Sequence, residues 1–440
     1  MTDLLAARLD MALSLAFHIV FAAAGIAMPL FMVVSEWRWL RGGDPVDLEL
    51  TRRWLTGTAI LFAVGAVSGT VLSFELGLLW PKFMQWAGPV VGMPFSLEGF
   101  AFFLEAIFIG IYLYGWKRVP PLVHWLSGVV VAVSGCVSGI FVVCANAWMN
   151  TPAGFRMEHG RAVDVDVWAA MFNPAAFQQT LHMTIAAYLA IAAAAAGIHA
   201  RGLLRDPASR FHRRALAIVL PVLAVCAPLQ LVSGDHSAKS VARQQPLKLA
   251  ALEGQWKTER RAPLRIGGWP DAGTETTRGA LELPGMLSWL AFGRTDAEVK
   301  GLASAPPADR PPALPVHLAF QVMVGCGTAL LLLSGVLVLL AIRRRAVADT
   351  PWLLRALVAA APLGLIAIEA GWVVTEVGRQ PWIVYGVMRT RDAVTPMPGV
   401  VIPLVAIAAL YLFLAWVVIT LLRDRVFAAP RGGRAAEDAP

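Results

Sequence analysis

The chain has 440 residues, of which 58% are hydrophobic and only 15% are charged, and its formal net charge is +8 at pH 7. This composition excludes an ordinary soluble domain, because apolar stretches of about 20 residues recur, as they do in membrane-spanning proteins. The positive charge does not indicate nucleic-acid binding, since many of the basic residues lie in short segments between the apolar stretches.

Nine apolar runs are long enough to cross a membrane as helices, and they predict an all-α integral membrane protein. Residues 1–11 carry charged side chains and no small-residue cleavage site, so we expect the first helix to stay in the mature protein. In chain order, the predicted helices 1 to 9 span residues 12–34, 55–79, 96–115, 123–145, 178–199, 215–233, 318–342, 354–377 and 400–422.

Lys and Arg residues in the short connecting segments predict the orientation of the bundle. They are concentrated in segments 36–53, 116–122, 200–214 and 343–353 and after the last helix. Because cytoplasmic loops carry an excess of Lys and Arg, we expect the N-terminus outside and the C-terminus inside. The segment 234–316 is too long to be counted under this rule.

These boundaries divide the chain into four predicted units. Residues 1–233 hold helices 1–6, and residues 234–316 form a long, Pro-rich outer loop. Residues 317–422 hold helices 7–9, and residues 423–440 form a cytoplasmic tail.

Residues that are unusual in membrane helices share one depth in this topology. Ionisable side chains inside a hydrophobic segment are costly, and they mark candidate functional sites. The two helix 3 acids are seven residues apart and therefore share one helix face. Five helices bring six such residues to the outer half of the membrane: His18, Glu98, Glu105, His182, Met323 and Glu376.

Two His and one Met in a dry bundle suggest haem chemistry. Imidazole and thioether groups are haem ligands, and a single axial ligand leaves a position open for oxygen. Methionine is more often a packing residue, so spacing alone leaves the role of Met323 open. A bundle with two bis-His haems would need four suitably placed His, and only His18 and His182 are well placed.

The end of helix 8 reads EAGWVVTEVGRQPW, residues 369–382. One interpretation is an interfacial cap, in which Glu376 pairs with Arg379 and Trp372 anchors the helix. The alternative is a ligand site, for which Glu369 is a second candidate because it lies seven residues before Glu376 on the same face.

Ordered motifs along nearly the whole chain carry a family resemblance. They are GTVLSFELG, SLEGFAFFLEAIFIG, ANAWMNTPAG, QQTLH, GDHSAK, QPLKLAALEGQW, FQVMVG and GWVVTEVGRQPW. In this order they resemble subunit I of the cytochrome bd family, the quinol oxidases with three haems. The loop 234–316 matches the family's extracytoplasmic quinol-binding loop, and it is short, as in the branch that includes cyanide-insensitive oxidases.

The resemblance implies a set of haem ligands. His182 and Met323 would be the axial ligands of a low-spin haem b. His18 and Glu376 would each ligate one of two high-spin haems, a haem b and a haem d or a third b-type haem. Arg379 would pair with haem propionates, since Arg makes bidentate contacts to carboxylates.

The resemblance also implies catalytic roles. Trp372 would lie between haems on the electron route, and Glu98 and Glu105 would deliver protons near the oxygen site. Lys248 and Glu253 match the quinol-oxidation residues, although without the resemblance they would be interpreted as a solvated loop pair.

One departure from the family pattern concerns the low-spin haem. Many members have Arg two residues before the Met ligand, where this chain has Gln321. The loss of a positive charge near a haem should lower its reduction potential, because the oxidised haem is the more positive state.

The implied function is that of a subunit of a terminal respiratory oxidase in the bacterial inner membrane. It would oxidise ubiquinol or menaquinol at the outer face, reduce oxygen to water, and generate proton motive force without pumping. Its partners would be a second membrane subunit, subunit II, and a small accessory single-helix subunit. Two alternatives are a transporter, which would show inverted repeats or broken helices at the midplane, and a haem b anchor of a quinone-linked dehydrogenase, which would need more membrane His.

Overall fold

The computed structural model describes residues 1–427 of the chain. In this range nine helical segments are long and apolar enough to cross a membrane, which confirms the predicted all-α membrane fold. We name them membrane helices 1 to 9: Asp3–Gly42, Pro45–Leu79, Pro81–Tyr114, Pro121–Asn150, Ala176–Arg205, Arg210–Gln244, Pro307–Ile342, Pro351–Val377 and Val401–Phe427. Of the predicted tail 423–440, Arg423–Phe427 form a π-helical turn, and the remainder lies outside the described residues.

Several helices are longer than hydropathy predicted. Membrane helix 3 begins at Pro81 rather than at residue 96, and it contains Pro89 and Pro94. Membrane helix 6 continues to Gln244 rather than ending at residue 233. The extension of membrane helix 6 consists mostly of polar turns, which carry no hydropathy signal. The extension of membrane helix 3 is largely apolar, but Pro89 and Pro94 are residues that usually end a helix.

Membrane helix 8 consists of two shorter helices, Pro351–Ala360 and Leu363–Val377. Its second part packs closely against membrane helix 5, because a Cβ added at Gly364 would lie 2.3 Å from Ala190 Cα. Only glycine leaves room for this approach, which fixes the height at which helix 8 delivers its last turn.

The bundle has two distinct ends. The loop end is the end at which membrane helices 1, 3, 5, 7 and 9 begin, and the chain between membrane helices 6 and 7 lies there. The opposite end is tightly packed around the alanine-rich membrane helix 5. Its fully buried side chains include Phe31, Leu203, Leu223, Leu353 and Leu357.

The chain between membrane helices 6 and 7, residues 245–312, is folded and is called the loop segment here. It begins with the loop helix, Pro246–Leu252, and contains a second short helix, Met286–Phe292. Its antiparallel strand pairs are Glu259–Arg260 with Glu298–Val299, Leu264–Ile266 with Leu281–Leu283, and Trp269–Asp271 with Thr276–Arg278.

Smaller elements complete the two ends. Membrane helix 7 is regular α-helix over Ala313–Ile342, after the 3₁₀ turns Leu302–Ser304 and Pro307–Asp309, and Val347–Asp349 is a third 3₁₀ turn. Other elements are the strand pairs Arg156–Glu158 with Arg161–Val163 and Trp382–Val384 with Met388–Arg389, and the helices Val167–Met171 and Thr390–Ala393.

Candidate functional site

His18 is held by a serine on the neighbouring helix. Its Nδ1 lies 2.9 Å from Ser68 Oγ, and this hydroxyl lies 3.1 Å from the Gly65 carbonyl oxygen. If Ser68 donates to Gly65, it accepts from His18 and the ring proton is on Nδ1. Nε2 then keeps the lone pair that a metal-binding imidazole requires.

His182 on membrane helix 5 is held in the same way by a serine on membrane helix 6. Its Nδ1 lies 3.0 Å from Ser233 Oγ, and Ser233 donates to the Gln230 carbonyl at 3.1 Å. The Gln230 side-chain amide nitrogen lies 3.3 Å from His182 Nδ1 and 3.0 Å from His182 Nε2. Membrane helices 1–2 and 5–6 thus repeat one arrangement of a His facing a Ser.

Glycines lie beside all three candidate His and Met ligands. A Cβ added at Gly69 would lie 3.1 Å from His18 Cε1, and one added at Gly234 would lie 3.5 Å from His182 Cε1. Similarly, a Cβ at Gly371 of membrane helix 8 would lie 3.2 Å from the Met323 sulfur. The glycines let the His and Met side chains lie close against a neighbouring helix, and imidazole and thioether groups are a donor set that fits haem.

Buried Arg379 pairs with the partly exposed Glu376 at the end of membrane helix 8. Arg379 Nη2 donates to Glu376 Oε2 at 2.5 Å, and Asn146 of membrane helix 4 donates to the other carboxylate oxygen. Arg379 is only 2% exposed, and its Nε and Nη1 have no hydrogen-bond partner within residues 1–427. A buried guanidinium with unused donors suits an anionic group such as a propionate.

Glu369 and Trp372 belong to the same helix as Glu376. Both are half-buried, and Glu369 Oε1 is a buried atom without a hydrogen-bond partner in the described part of the chain. Trp372 lies one turn before Glu376, as predicted. Glu376 differs from Glu369 in having both carboxylate oxygens bonded by side chains from the site.

Glu98 and Glu105 both face membrane helix 4. Ser138 donates to Glu98 Oε1 at 3.4 Å. Glu105 is 6% exposed, and a Cβ added at Gly135 would lie 3.1 Å from its Oε1. On the other side, a Cβ at Gly25 of membrane helix 1 would lie 3.7 Å from the same atom. Glu105 therefore lies inside the bundle, whereas Glu98 is half-buried beside membrane helix 4.

Lys248 and Glu253 are buried, against the interpretation of a solvated pair. Burial, with a smaller contribution from Arg379, lowers the pKa of Lys248 to about 7. Burial also raises the pKa of Glu253 to about 8, although Arg265 opposes this shift. Two groups that both titrate near neutral pH can accept and release protons, which is the chemistry that oxidation of a quinol requires.

Two asparagines connect Lys248 to the end of membrane helix 8. Lys248 Nζ donates to Asn150 Oδ1 at 2.6 Å, and Asn150 Nδ2 donates to Asn146 Oδ1 at 3.0 Å. Asn146 in turn donates to Glu376. Sequence reasoning missed these asparagines, although the motif ANAWMN places them four residues apart on one helix face.

Gln321 anchors the loop segment. Its side chain accepts from the Gly267 N–H at 3.0 Å and donates to the Arg265 carbonyl at 3.1 Å. Gln321 therefore has a structural role in holding the loop segment. The absence of a positive charge at this position separately predicts a lower haem reduction potential.

A helical membrane bundle that gathers imidazole and thioether donors at one end defines a class, the haem-binding membrane proteins. The family Cytochrome bd terminal oxidase subunit I matches residues 6–430. The chain belongs to this family, so it is a terminal respiratory oxidase subunit and a multi-pass protein of the bacterial cytoplasmic membrane.

Individual relatives agree over most of their length. The chain is 37% identical to the putative cytochrome bd menaquinol oxidase subunit I of Bacillus subtilis (strain 168), over 90% of each chain. It is 30% identical to the cytochrome bd ubiquinol oxidase subunit 1 of the same organism, over 96% of this chain and 93% of the relative. A chain of the solved bd oxidase from Geobacillus thermodenitrificans matches with a TM-score of 0.89 and 39% identity, over 96% of this chain and 98% of that chain.

Proposed function

We propose that the chain is the haem-carrying subunit of an oxidase that takes electrons from quinol and reduces oxygen to water. The observation that supports this most directly is the pair of imidazoles, His18 and His182, each with Nδ1 against a serine hydroxyl. A histidine that binds iron needs such a partner on its other ring nitrogen, because the partner fixes the orientation of the ring.

The ligands are assigned as follows in this proposal. His182 and Met323 hold a low-spin haem b, and His18 and Glu376 each hold one high-spin haem, a haem b and a haem d or a third b-type haem. Arg379 binds propionates with its unused donors. Bound haem would supply the one-electron carriers and the iron at which oxygen is reduced.

Quinol is oxidised at the loop segment, which forms the core of the proposed quinol-binding unit 234–316. Lys248 and Glu253 receive its protons, and their connection through Asn150 and Asn146 links this place to Glu376. Trp372, one turn before Glu376, lies on the electron route. The relatives differ in the quinol that their names state, so ubiquinol and menaquinol are both candidate substrates here.

The loop end faces the outside, with the N-terminus outside and the C-terminus inside, because the short segments rich in Lys and Arg lie at the opposite end. Protons from quinol leave outside, and protons for water come from inside through Glu105 and Glu98. This separation generates proton motive force without pumping and makes the oxidase an electrogenic translocase. A second membrane subunit, subunit II, and a small accessory single-helix subunit complete the assembly.

The experiment that tests the function uses the complex purified from membranes. We expect reduced-minus-oxidised spectra and a pyridine haemochrome assay to reveal haem b and, if haem d is present, a band in the red. Oxygen consumption should start on addition of ubiquinol or menaquinol. A preparation that carries haem but consumes no oxygen with either quinol would contradict the proposal.

Glu376 and Glu369 give a matched test of the ligand assignment. Glu376→Gln keeps the shape of the side chain and removes the anion, so one high-spin haem should bind weakly or be lost. Glu369→Gln makes the same chemical change two turns earlier and should keep every haem. Haem counts on both purified variants decide the matter, and the reverse result would transfer the ligand role to Glu369.

A further inference from the structure

A buried Glu–His pair lies at the opposite end of the bundle, far from the candidate haem ligands. Glu36 of membrane helix 1 and His124 of membrane helix 4 are 0% and 2% exposed. His124 Nδ1 lies 2.7 Å from Glu36 Oε1, and its Nε2 lies 2.9 Å from the Tyr112 carbonyl oxygen. Both ring nitrogens face acceptors, so the geometry fits an imidazolium that donates twice and a carboxylate beside it.

Burial of the Glu36–His124 pair in the core is energetically unfavourable compared with apolar residues. Removing two charges from water costs several kcal/mol per ion, and apolar residues of similar volume are often neutral or stabilising in place of a buried ion pair. Aromatic rings of Trp116 and Tyr112 pack on His124 at 4.0 and 4.6 Å, and Arg52 lies over Trp116 at 5.1 Å. Packing alone therefore does not account for Glu36 and His124.

The Tyr112 phenol lies beside the Glu36–His124 pair. Its hydroxyl and Glu36 Oε2 are buried atoms without a hydrogen-bond partner in residues 1–427, and the phenol lies next to the Glu36 carboxylate. Tyr112 thus presents a proton-carrying oxygen to the carboxylate and completes a three-residue cluster.

Membrane helix 3 continues this cluster toward the proposed oxygen site. Glu98, Glu105 and Tyr112 are spaced by seven residues and share one face. Each faces membrane helix 4: a Cβ added at Gly128 would lie 2.9 Å from Tyr112 Cζ, and one at Gly135 would lie 3.1 Å from Glu105 Oε1. Proton-carrying groups therefore recur at intervals of about 11 Å along one helix interface.

We propose that Glu36, His124 and Tyr112 form a proton-loading site from which protons reach Glu105. The proposal rests on the proposed function and orientation, which put this end of the bundle inside. A proton from water binds the Glu36–His124 pair and passes to the Tyr112 oxygen. The phenol releases its own proton toward Glu105 through intervening water, which leaves the cluster ready for the next proton.

Two variants and one control test the proposal in the purified complex. Glu36→Gln removes the proton acceptor, and Tyr112→Phe removes only a hydroxyl that has no hydrogen-bond partner within residues 1–427, so it should cost little stability. Glu49→Gln is the matched control, because Glu49 lies at the same end, is exposed, and pairs with Arg53 at 2.9 Å.

We expect quinol-driven turnover to fall on the order of tenfold or more in both variants, with a larger solvent deuterium isotope effect. Proton uptake by the fully reduced protein on addition of oxygen, followed with a pH-indicator dye, should slow equally. Haem spectra and the unfolding temperature of Tyr112→Phe should match those of the wild type and of Glu49→Gln.

Unchanged turnover and proton uptake in Tyr112→Phe would overturn the proposal, whether or not Glu36→Gln assembles. Slow turnover with a wild-type isotope effect and wild-type proton uptake would also overturn it, because a purely structural defect would then be the cause. Failure of the proposed function itself is a separate result, since the wild-type complex would then show no quinol-dependent oxygen consumption at all.

Discussion

Two hairpins of the bundle hold a histidine in the same way and differ in what surrounds it. In membrane helices 1–2, Ser68 orients His18, and in membrane helices 5–6, Ser233 orients His182. In each case the serine also lies within hydrogen-bond distance of a backbone carbonyl three residues earlier. The chain therefore builds the same His–Ser arrangement twice.

The difference lies on the other side of each ring. His182 Nε2 receives the Gln230 amide, and membrane helix 7, which carries Met323, packs against membrane helix 6. No hydrogen bond to His18 Nε2 is recorded within the described residues, and two turns along its helix Gly25 faces the buried acid Glu105. The comparison teaches that a serine contacts Nδ1 of both histidines, and under the proposed function the neighbouring helix would distinguish the electron-transfer site from the oxygen site.

The strongest test of this comparison removes each imidazole in turn. His182→Ala should abolish the low-spin haem b signal and quinol oxidation, while His18→Ala should remove one high-spin haem and leave the low-spin signal. Met323→Leu should act like His182→Ala, because it removes the second axial ligand of the same haem. The measurement is the reduced-minus-oxidised spectrum together with the haem count.

Two results would contradict the assignment of one haem to each hairpin. If His18→Ala and His182→Ala lose the same haem signal, the two hairpins do not serve separate haems. A full low-spin spectrum in both His182→Ala and Met323→Leu would remove that pair from the ligand set.

The serines provide a smaller effect of the same kind. Ser68→Ala and Ser233→Ala leave the ligands in place and remove the group that orients them, which typically lowers metal affinity by about 10–100-fold. We expect the larger loss in Ser68→Ala, because Gln230 still contacts His182 when Ser233 is absent. Haem affinity is measured as the fraction of haem that each variant retains during titration with apomyoglobin as haem acceptor. Ser73→Ala, at an exposed helix position, is the control, and equal retention in all three variants would show that the serines do not orient ligands.

The fold was largely predictable because hydrophobic length dominates membrane structure. The errors concern polar helical ends, such as the turns of membrane helix 6 up to Gln244, where hydropathy gives no signal. Topology alone led to the prediction that six unusual residues lie in the outer half of the membrane. Their detailed partners could not be predicted, because contacts such as Lys248 with Asn150 join residues 98 positions apart.

One part of the site was visible in the sequence and was missed. The dipeptide Ser-Gly follows His18 by 50 residues and His182 by 51, in the next helix each time. A serine inside an apolar helix carries little information by itself, since it often bonds its own backbone. The nearly equal spacing of two His–Ser-Gly pairs was the informative signal.

The glycines of these dipeptides give the smallest predicted effect and the finest comparison. A Cβ at Gly69 would lie 3.1 Å from His18 Cε1, inside ordinary van der Waals contact, whereas one at Gly234 would lie 3.5 Å from His182. Gly69→Ala should therefore displace the His18 imidazole and shift the spectrum of the haem at His18. Gly234→Ala should leave the spectrum of the haem at His182 unchanged. It should also stabilise membrane helix 6 by about 0.5–1 kcal/mol. Absorbance spectra and unfolding temperatures of the two variants measure both effects. A shifted spectrum in Gly234→Ala with none in Gly69→Ala would mean that the close approach at Gly69 does not set the position of His18.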